Sequence, residues 1–167
     1  QHFTPKDYDA HSQNWAILQD QRGLMYFANG IGVLEYDGVS WRLISVPNES
    51  GVYSLGMDQQ GRIYVGAKGD FGYLAADSLG QRQFVSLLDD LATEYRDFSS
   101  VWDISITAEG VYFRSREYLF RWNEASAGQG SLKVWQPETE FYRFYTVQDT
   151  HYLVQRQIGL MKLVDDE

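Results

Sequence analysis

A repeated unit constrains the fold of this chain more than any other sequence feature. Its first copy lies within residues 12–46, where four short apolar runs are separated by turn signals such as Asp37-Gly38. Each run has the length of a β-strand. The turn Asp20-x-x-Gly23 before one apolar run recurs as Asp58-x-x-Gly61 before another, and weaker copies follow it. The sequence therefore predicts a series of similar antiparallel sheets.

The spacing of the copies indicates which repeat fold this is. The unit recurs about every 40 residues with four strand-like runs, which is typical of a β-propeller blade. The run Leu24–Ala28 is apolar throughout, as expected for a sheet that neighbouring blades cover on both faces. We predict an all-β fold, a β-propeller of four-stranded antiparallel blades with about four blades in this chain.

The predicted blades divide a single propeller domain, or a fragment of one, over residues 1–167. They span about residues 12–46, 51–88, 99–136 and 140–164. The last blade contains only three strand-like runs, so one outer strand is missing from it.

We predict that an N-terminal strand within residues 1–8 fills the missing place. Phe3-Thr4-Pro5 resembles the end of the first predicted outer strand, Ser45-Val46-Pro47. The chain could close a four-bladed ring alone, be a fragment of a larger ring, or be half of a ring that two chains form. Because open strand edges pair readily, we expect self-association through the open blade edge, with a homodimer as the preferred arrangement.

Composition and motifs argue against several functions. A net charge of −9 is the opposite of the basic face that nucleic-acid binding requires, so we expect no nucleic-acid partner. No apolar run approaches the length of a membrane span. The chain has no Cys, its three His are scattered, and it lacks a Gly-x-Ser-x-Gly motif. We therefore expect no catalytic residue, no metal site and no cofactor.

Topology predicts where a ligand would bind. The loops that join second and third strands lie on the same face of a propeller as the starts of the innermost strands. Those inner strands begin with aromatic residues at matching positions, namely Trp15, Tyr53, Trp102 and Tyr142. Polar candidates in the loops are Asn29, Lys68, Asp70, Arg116 and Arg156. Aromatic faces with nearby polar groups suit sugar rings, although the same aromatics could pack between blades and the charges could simply be solvated.

Longer stretches of the chain resemble the two-component regulator propeller repeat. The resemblance rests on residues 17–41, on Phe3-Thr-Pro-Lys-Asp-Tyr8, and on residues 65–74. This repeat occurs in the periplasmic sensor regions of bacterial histidine kinases and hybrid two-component regulators. The resemblance implies a periplasmic, non-catalytic segment that senses a small molecule, with glycans as one ligand class. In the family, a membrane helix and a histidine kinase module follow downstream, and the membrane would be met only there.

Two other functions remain open from the sequence. The propeller could be a scaffold for protein–protein interaction or dimerisation. It could also be a polysaccharide hydrolase or lyase, because carboxylate pairs that cleave sugars converge in space and leave no sequence motif. Asp103 begins a predicted inner strand and is the carboxylate to test for that activity.

Overall fold

A computed structural model describes residues 2–124, 130–148 and 150–164. Its strands form four separate antiparallel sheets, and within each sheet the strands lie in chain order. The first sheet contains β1 (Asn14–Gln19), β2 (Met25–Asn29), β3 (Gly32–Tyr36) and β4 (Trp41–Ile44). The second contains β5 (Val52–Met57), β6 (Ile63–Ala67), β7 (Asp70–Ala76) and β8 (Arg82–Ser86).

The remaining two sheets repeat this meander. The third contains β9 (Asp103–Thr107), β10 (Gly110–Arg114), β11 (Leu119–Asn123) and β12 (Ser131–Trp135). The fourth contains β13 (Phe141–Val147), β14 (Thr150–Gln155) and β15 (Gly159–Lys162), and the described residues add no further strand to it. Short 3₁₀ turns lie at Pro47–Glu49, Leu88–Asp90 and Thr93–Tyr95. The predicted all-β propeller fold is confirmed.

The tight turns form for local reasons. The Asp20 carboxylate accepts hydrogen bonds from the backbone N–H of Arg22 at 2.9 Å and of Leu24 at 3.1 Å. Gly23 has φ of +90°, a left-handed conformation that a residue with a side chain resists. These contacts fix the β1–β2 hairpin through residues of the turn itself.

Apolar side chains pack between successive sheets. Tyr26, Val33 and Val65 belong to a buried cluster between the first two sheets, and Phe71 and Phe113 to one between the second and third. The innermost strands follow the same order, with β1 packed on β5, β5 on β9 and β9 on β13. Each sheet therefore serves as a propeller blade, and among the described residues the four blades form an arc that is not closed into a ring.

The N-terminus differs from its prediction. Pro5–Tyr8 forms a short helix, α1, and no strand is present in residues 2–8. Pro5 stands at its first position, where a missing N–H costs nothing, and the Thr4 N–H and hydroxyl both donate to the Asp7 carboxylate. The Phe3 ring then contacts Trp41 of β4 edge-on at 5.2 Å. The segment packs against the first blade and does not complete the fourth.

The outward face of the fourth blade is apolar and open. Tyr145, Val147 and Leu160 are all exposed, with Leu160 at 67%. None of the helices in the described ranges is long and apolar enough to cross a membrane.

Candidate functional site

A shared irregularity redirects three of the four predicted aromatic side chains. The pairing of first and second strands shifts register around Trp15, Tyr53 and Tyr142, so each of these residues is an extra one in its strand. Trp102 lies just before β9, and its N–H donates to the carbonyl of Arg114 at 2.9 Å. A β-bulge redirects the side chain of the extra residue. We call these four residues the aromatic row, and the end of the inner strands where they lie the mouth.

Three members of the aromatic row contact one another. The ring centroids of Trp15 and Tyr53 lie 5.4 Å apart, those of Tyr53 and Trp102 lie 4.6 Å apart, and Trp15 meets Trp102 edge-on at 5.8 Å. These contacts join three successive blades. Trp15 nevertheless remains 47% exposed and Tyr142 55% exposed. The aromatic row therefore packs between blades and also presents ring surface to solvent.

A cavity of about 170 Å³ adjoins the aromatic row between the third and fourth blades. Its lining includes three sequence-predicted residues, Trp102, Arg116 and Tyr142. It also includes Arg114, Glu140 and Arg143, which the sequence did not single out. We call this the mouth cavity.

Arg114 is the buried charge of the mouth cavity. Its Nε and Nη2 donate to one carboxylate oxygen of Asp103 at 2.8 and 2.5 Å, and its Nη1 donates to the Phe141 carbonyl at 3.3 Å. Burial lowers the pKa of Arg114, and the nearby Arg143 and Arg116 lower it further, while Asp103 opposes them. The mouth cavity is thus a place where positive charges are held close together.

Asp103 is shared by two arginines. Besides its bonds to Arg114, its second carboxylate oxygen lies 3.7 Å from Nη1 of Arg143. The Arg143 guanidinium also lies over the Tyr142 ring, 5.5 Å from its centroid. These contacts tie the one carboxylate considered for catalysis to the positions of two cations.

A wider cavity of about 520 Å³ lies on the open side of the fourth blade. Tyr142, Arg156 and Ile158 are among its lining residues. Nη1 of Arg156 lies 3.5 Å from the Glu140 carboxylate, so this predicted residue neutralises an acid at the edge of the mouth cavity. Tyr142 contributes to both cavities and separates them.

Two of the predicted polar residues have buried side chains with partners in the chain. The Asn29 amide donates to the His11 carbonyl at 2.6 Å and accepts from the His11 N–H at 3.2 Å, so it anchors the N-terminal segment. The Asp70 carboxylate accepts from the Phe71 N–H at 2.7 Å and from the Ser86 hydroxyl at 2.8 Å. Burial raises the pKa of Asp70 to about 6. The remaining loop residue, Lys68, is exposed in the turn between β6 and β7.

Internal comparison of the blades could have revealed Arg114 from the sequence. Its register partner in β9 is Asp103, and the corresponding position holds Ala28 in the first blade and Gly66 in the second. At this position the first two blades therefore have a small residue, and the third has an arginine. The pattern of apolar runs does not show this, because it marks where strands lie and not where one blade departs from the others.

Solved structures with the same fold include receptor domains and an enzyme. One is described as the extracellular domain of the hybrid two-component system BT4673 from B. thetaiotaomicron. It matches with a TM-score of 0.66 and 16% sequence identity, and the match covers 93% of this chain and 20% of that protein. A second is described in the same way for BT3049, with TM-score 0.63, 12% identity, and coverage of 96% and 22%. Virginiamycin B lyase from Staphylococcus aureus matches with a TM-score of 0.62 and 10% sequence identity, and the match covers 98% of this chain and 58% of the lyase.

The chain spans about a fifth of the two receptor domains that it matches. Identities this low show a common fold and nothing finer. No protein-family model matches the sequence, and no curated protein matches it either.

Proposed function

We propose that this chain is a ligand-sensing segment of an extracytoplasmic receptor propeller, and that the ligand binds at the mouth. The observation that carries the proposal is the aromatic row, which successive blades aim to the same place while leaving Trp15 and Tyr142 about half exposed. Aromatic faces that are grouped and exposed often mark a binding site, and they suit the apolar faces of sugar rings. The mouth cavity beside Trp102 supplies the polar groups that would orient such a ligand.

The comparisons support the receptor part of the proposal. Two of the matching structures are described as extracellular domains of hybrid two-component systems. In such a receptor, occupancy of a propeller outside the membrane would be passed through a membrane helix to a histidine kinase module. We place this chain in the extracytoplasmic part of a receptor of that kind.

We also propose that the segment is not catalytic. A carboxylate that cleaves a glycosidic bond must be free to exchange a proton or to attack the sugar. Asp103 is instead bonded to Arg114 and lies near Arg143. The alternative, a polysaccharide hydrolase or lyase, predicts release of products from a glycan panel and loss of that release in Asp103→Asn. We expect no product from the wild-type chain.

Thermal unfolding of the full chain with a panel of soluble oligosaccharides tests the sensing function. A ligand that binds only the folded state stabilises it by mass action. At a free concentration about 100 times Kd, the expected rise in Tm is about 5–10 °C for a chain of this size. We expect Trp102→Ala to abolish most of the rise.

Trp135→Ala is the matched control, because it removes a half-buried tryptophan from the outer strand of the same blade. The rise should persist in that variant, measured from its own Tm. Equal losses in both variants, or no rise with any saccharide, would contradict binding of sugars at the mouth.

A second function, self-association, is favoured by the fourth blade. Its described residues form three strands, and Tyr145, Val147 and Leu160 leave an apolar face open. At the other end of the described arc, Phe3 and α1 pack against the first blade. We propose that two copies of the chain associate through their fourth blades, because one shared face can form a closed two-fold interface.

Light scattering over a range of concentrations tests this association. A dimer that Leu160→Lys converts to monomer would support it, since a charge would then lie in the apolar interface. Leu79→Lys is the control, because Leu79 is exposed in a turn of the second blade. A wild-type chain that stays monomeric at all concentrations would refute the dimer.

A further inference from the structure

Three arginines gather at the mouth of a chain whose net charge is −9. Arg114, Arg116 and Arg143 all line the mouth cavity, and we call them the arginine cluster. Resting on the proposed function, we propose that the ligand of the mouth is a sugar ring bearing an anionic group, a carboxylate or a sulfate, which the arginine cluster holds against Trp102 and Tyr142.

The other blades show that a blade of this kind does not need an arginine at the position of Arg114. Its position in the second strand is filled by Ala28 in the first blade, Gly66 in the second and Val154 in the fourth. These residues pack without charge, whereas burying a guanidinium costs free energy that its partners only partly return. A buried arginine at this one place therefore indicates a role other than packing.

The contacts of Arg114 make it a fixed support for Arg143. It donates twice to Asp103 and once to the carbonyl of Phe141, so its side chain joins the third blade to the fourth. Asp103 in turn lies 3.7 Å from Arg143. The Arg114–Asp103 pair is neutral and holds Arg143 at the rim of the mouth cavity.

The remaining charges leave the mouth cavity positive. Glu140 lies beside Arg156, at 3.5 Å. The Glu117 carboxylate accepts hydrogen bonds from the N–H and the hydroxyl of Ser99. Arg116 is exposed, and Arg143 shares its acid with Arg114. Positive charge thus exceeds negative charge where the aromatic rings are accessible.

Shape and chemistry favour one charged ring. The mouth cavity, at about 170 Å³, is smaller than the roughly 300–1,000 Å³ typical of pockets for drug-sized ligands, which favours a single small ring. Guanidinium groups bind carboxylate and sulfate oxygens through parallel N–H donors. The Trp102 and Tyr142 rings would cover the C–H face of the sugar while the arginine cluster binds its anionic group.

Calorimetric titration with matched ligand pairs tests the proposal on the full chain. The first pair is an oligogalacturonide and its methyl ester, and the second is a sulfated galactan oligosaccharide and its desulfated form. In each pair the ring is kept and the charge is removed. We expect one charged form to bind about tenfold more tightly than its neutral counterpart, and the pair that shows this distinguishes carboxylate from sulfate.

Arg116→Gln should remove most of that tenfold preference, because it weakens binding of the charged form far more than binding of the neutral form. Lys6→Gln is the control, because it removes one exposed positive charge from α1. If charged and neutral forms bind equally and Arg116→Gln has no effect, the anionic preference is overturned while saccharide sensing stands. If no form of either saccharide binds, both the preference and the proposed sensing function are overturned.

Discussion

Asp70 provides the sharpest test of the electrostatics of this fold. Its side chain is almost fully buried, and it accepts hydrogen bonds from the Phe71 N–H and the Ser86 hydroxyl. Burial raises the pKa of this carboxyl to about 6 from its ordinary 3.8, against those two bonds, and the nearby Asp89 adds to the rise. The folded state therefore binds the Asp70 proton more tightly than the unfolded state does.

The sign and size of the effect follow from this difference. A raised pKa in the folded state contributes stability that is fully present below about pH 3.8 and is lost as the pH rises through about 6. The difference between 3.8 and about 6 corresponds to about 3 kcal/mol. Asp70→Asn keeps an oxygen that can accept both hydrogen bonds but carries no charge. We expect the variant to exceed the wild type by up to about 3 kcal/mol above pH 7.

Chemical denaturation at several pH values between 4 and 8 measures this directly. The difference in unfolding free energy between Asp70→Asn and wild type should grow from pH 4 to pH 6.5 and then level off. Asp97→Asn, which removes a carboxylate from an exposed loop, is the control for the loss of one negative charge. A difference that is constant with pH, or that shrinks as pH rises, would refute the reasoning. Retained ligand binding in Asp70→Asn would also show that this residue serves the fold.

Three further variants test single contacts. Asn29→Ala removes the bonds to His11 and should cost about 1–3 kcal/mol in denaturant unfolding, with faster proteolysis of the N-terminal segment. Gly66→Ala would place a Cβ 2.6 Å from Cγ1 of Val101, so we expect a loss of about 1–3 kcal/mol; an unchanged Tm would contradict this packing. Arg114→Val combined with Asp103→Ala replaces the whole ion pair, as Ala28 and Ala16 do in the first blade, and should leave Tm about equal while weakening binding of the charged saccharide by about tenfold; Arg114→Val alone should lower Tm, because Asp103 loses its main partner.

The parts of the fold that the sequence predicted are those set by local patterns. Apolar runs between Asp and Gly turns define the strands, because the Asp20 carboxylate and the left-handed Gly23 act within a few residues. The prediction of an N-terminal strand was wrong because the same residues also fit another local pattern. Thr4-Pro5 has the composition of a strand end, but it also starts a helix, and the contact between Phe3 and Trp41 decides where that helix lies.

The candidate site was predictable in position and not in composition. The repeat predicts where the aromatic row lies, but the contacts among its rings depend on β-bulges, which no residue pattern predicts. The sequence predicts Asn29 and Asp70 as exposed loop residues, but each is buried with a partner from elsewhere in the chain, His11 for Asn29 and Ser86 for Asp70. Burial of a polar side chain depends on tertiary packing, which the strand pattern does not contain.

In a repeat protein, residues at matching positions of the blades can be compared, and this helps to separate the needs of the fold from those of function. A residue type that every blade uses at one position, such as the aromatic at Trp15 and Tyr53, satisfies a need that all blades share, and packing between blades is part of that need. At some positions one blade has a residue that differs from those of the other blades, such as Arg114 where the first two blades have Ala28 and Gly66. The architecture that all blades share does not explain such a residue. The arginine cluster therefore carries more information about the ligand than the aromatic row does. Variants of Arg116, and of Arg114 together with Asp103, can change binding while the blades stay folded, because the first blade has Ala28 and Ala16 in place of that pair.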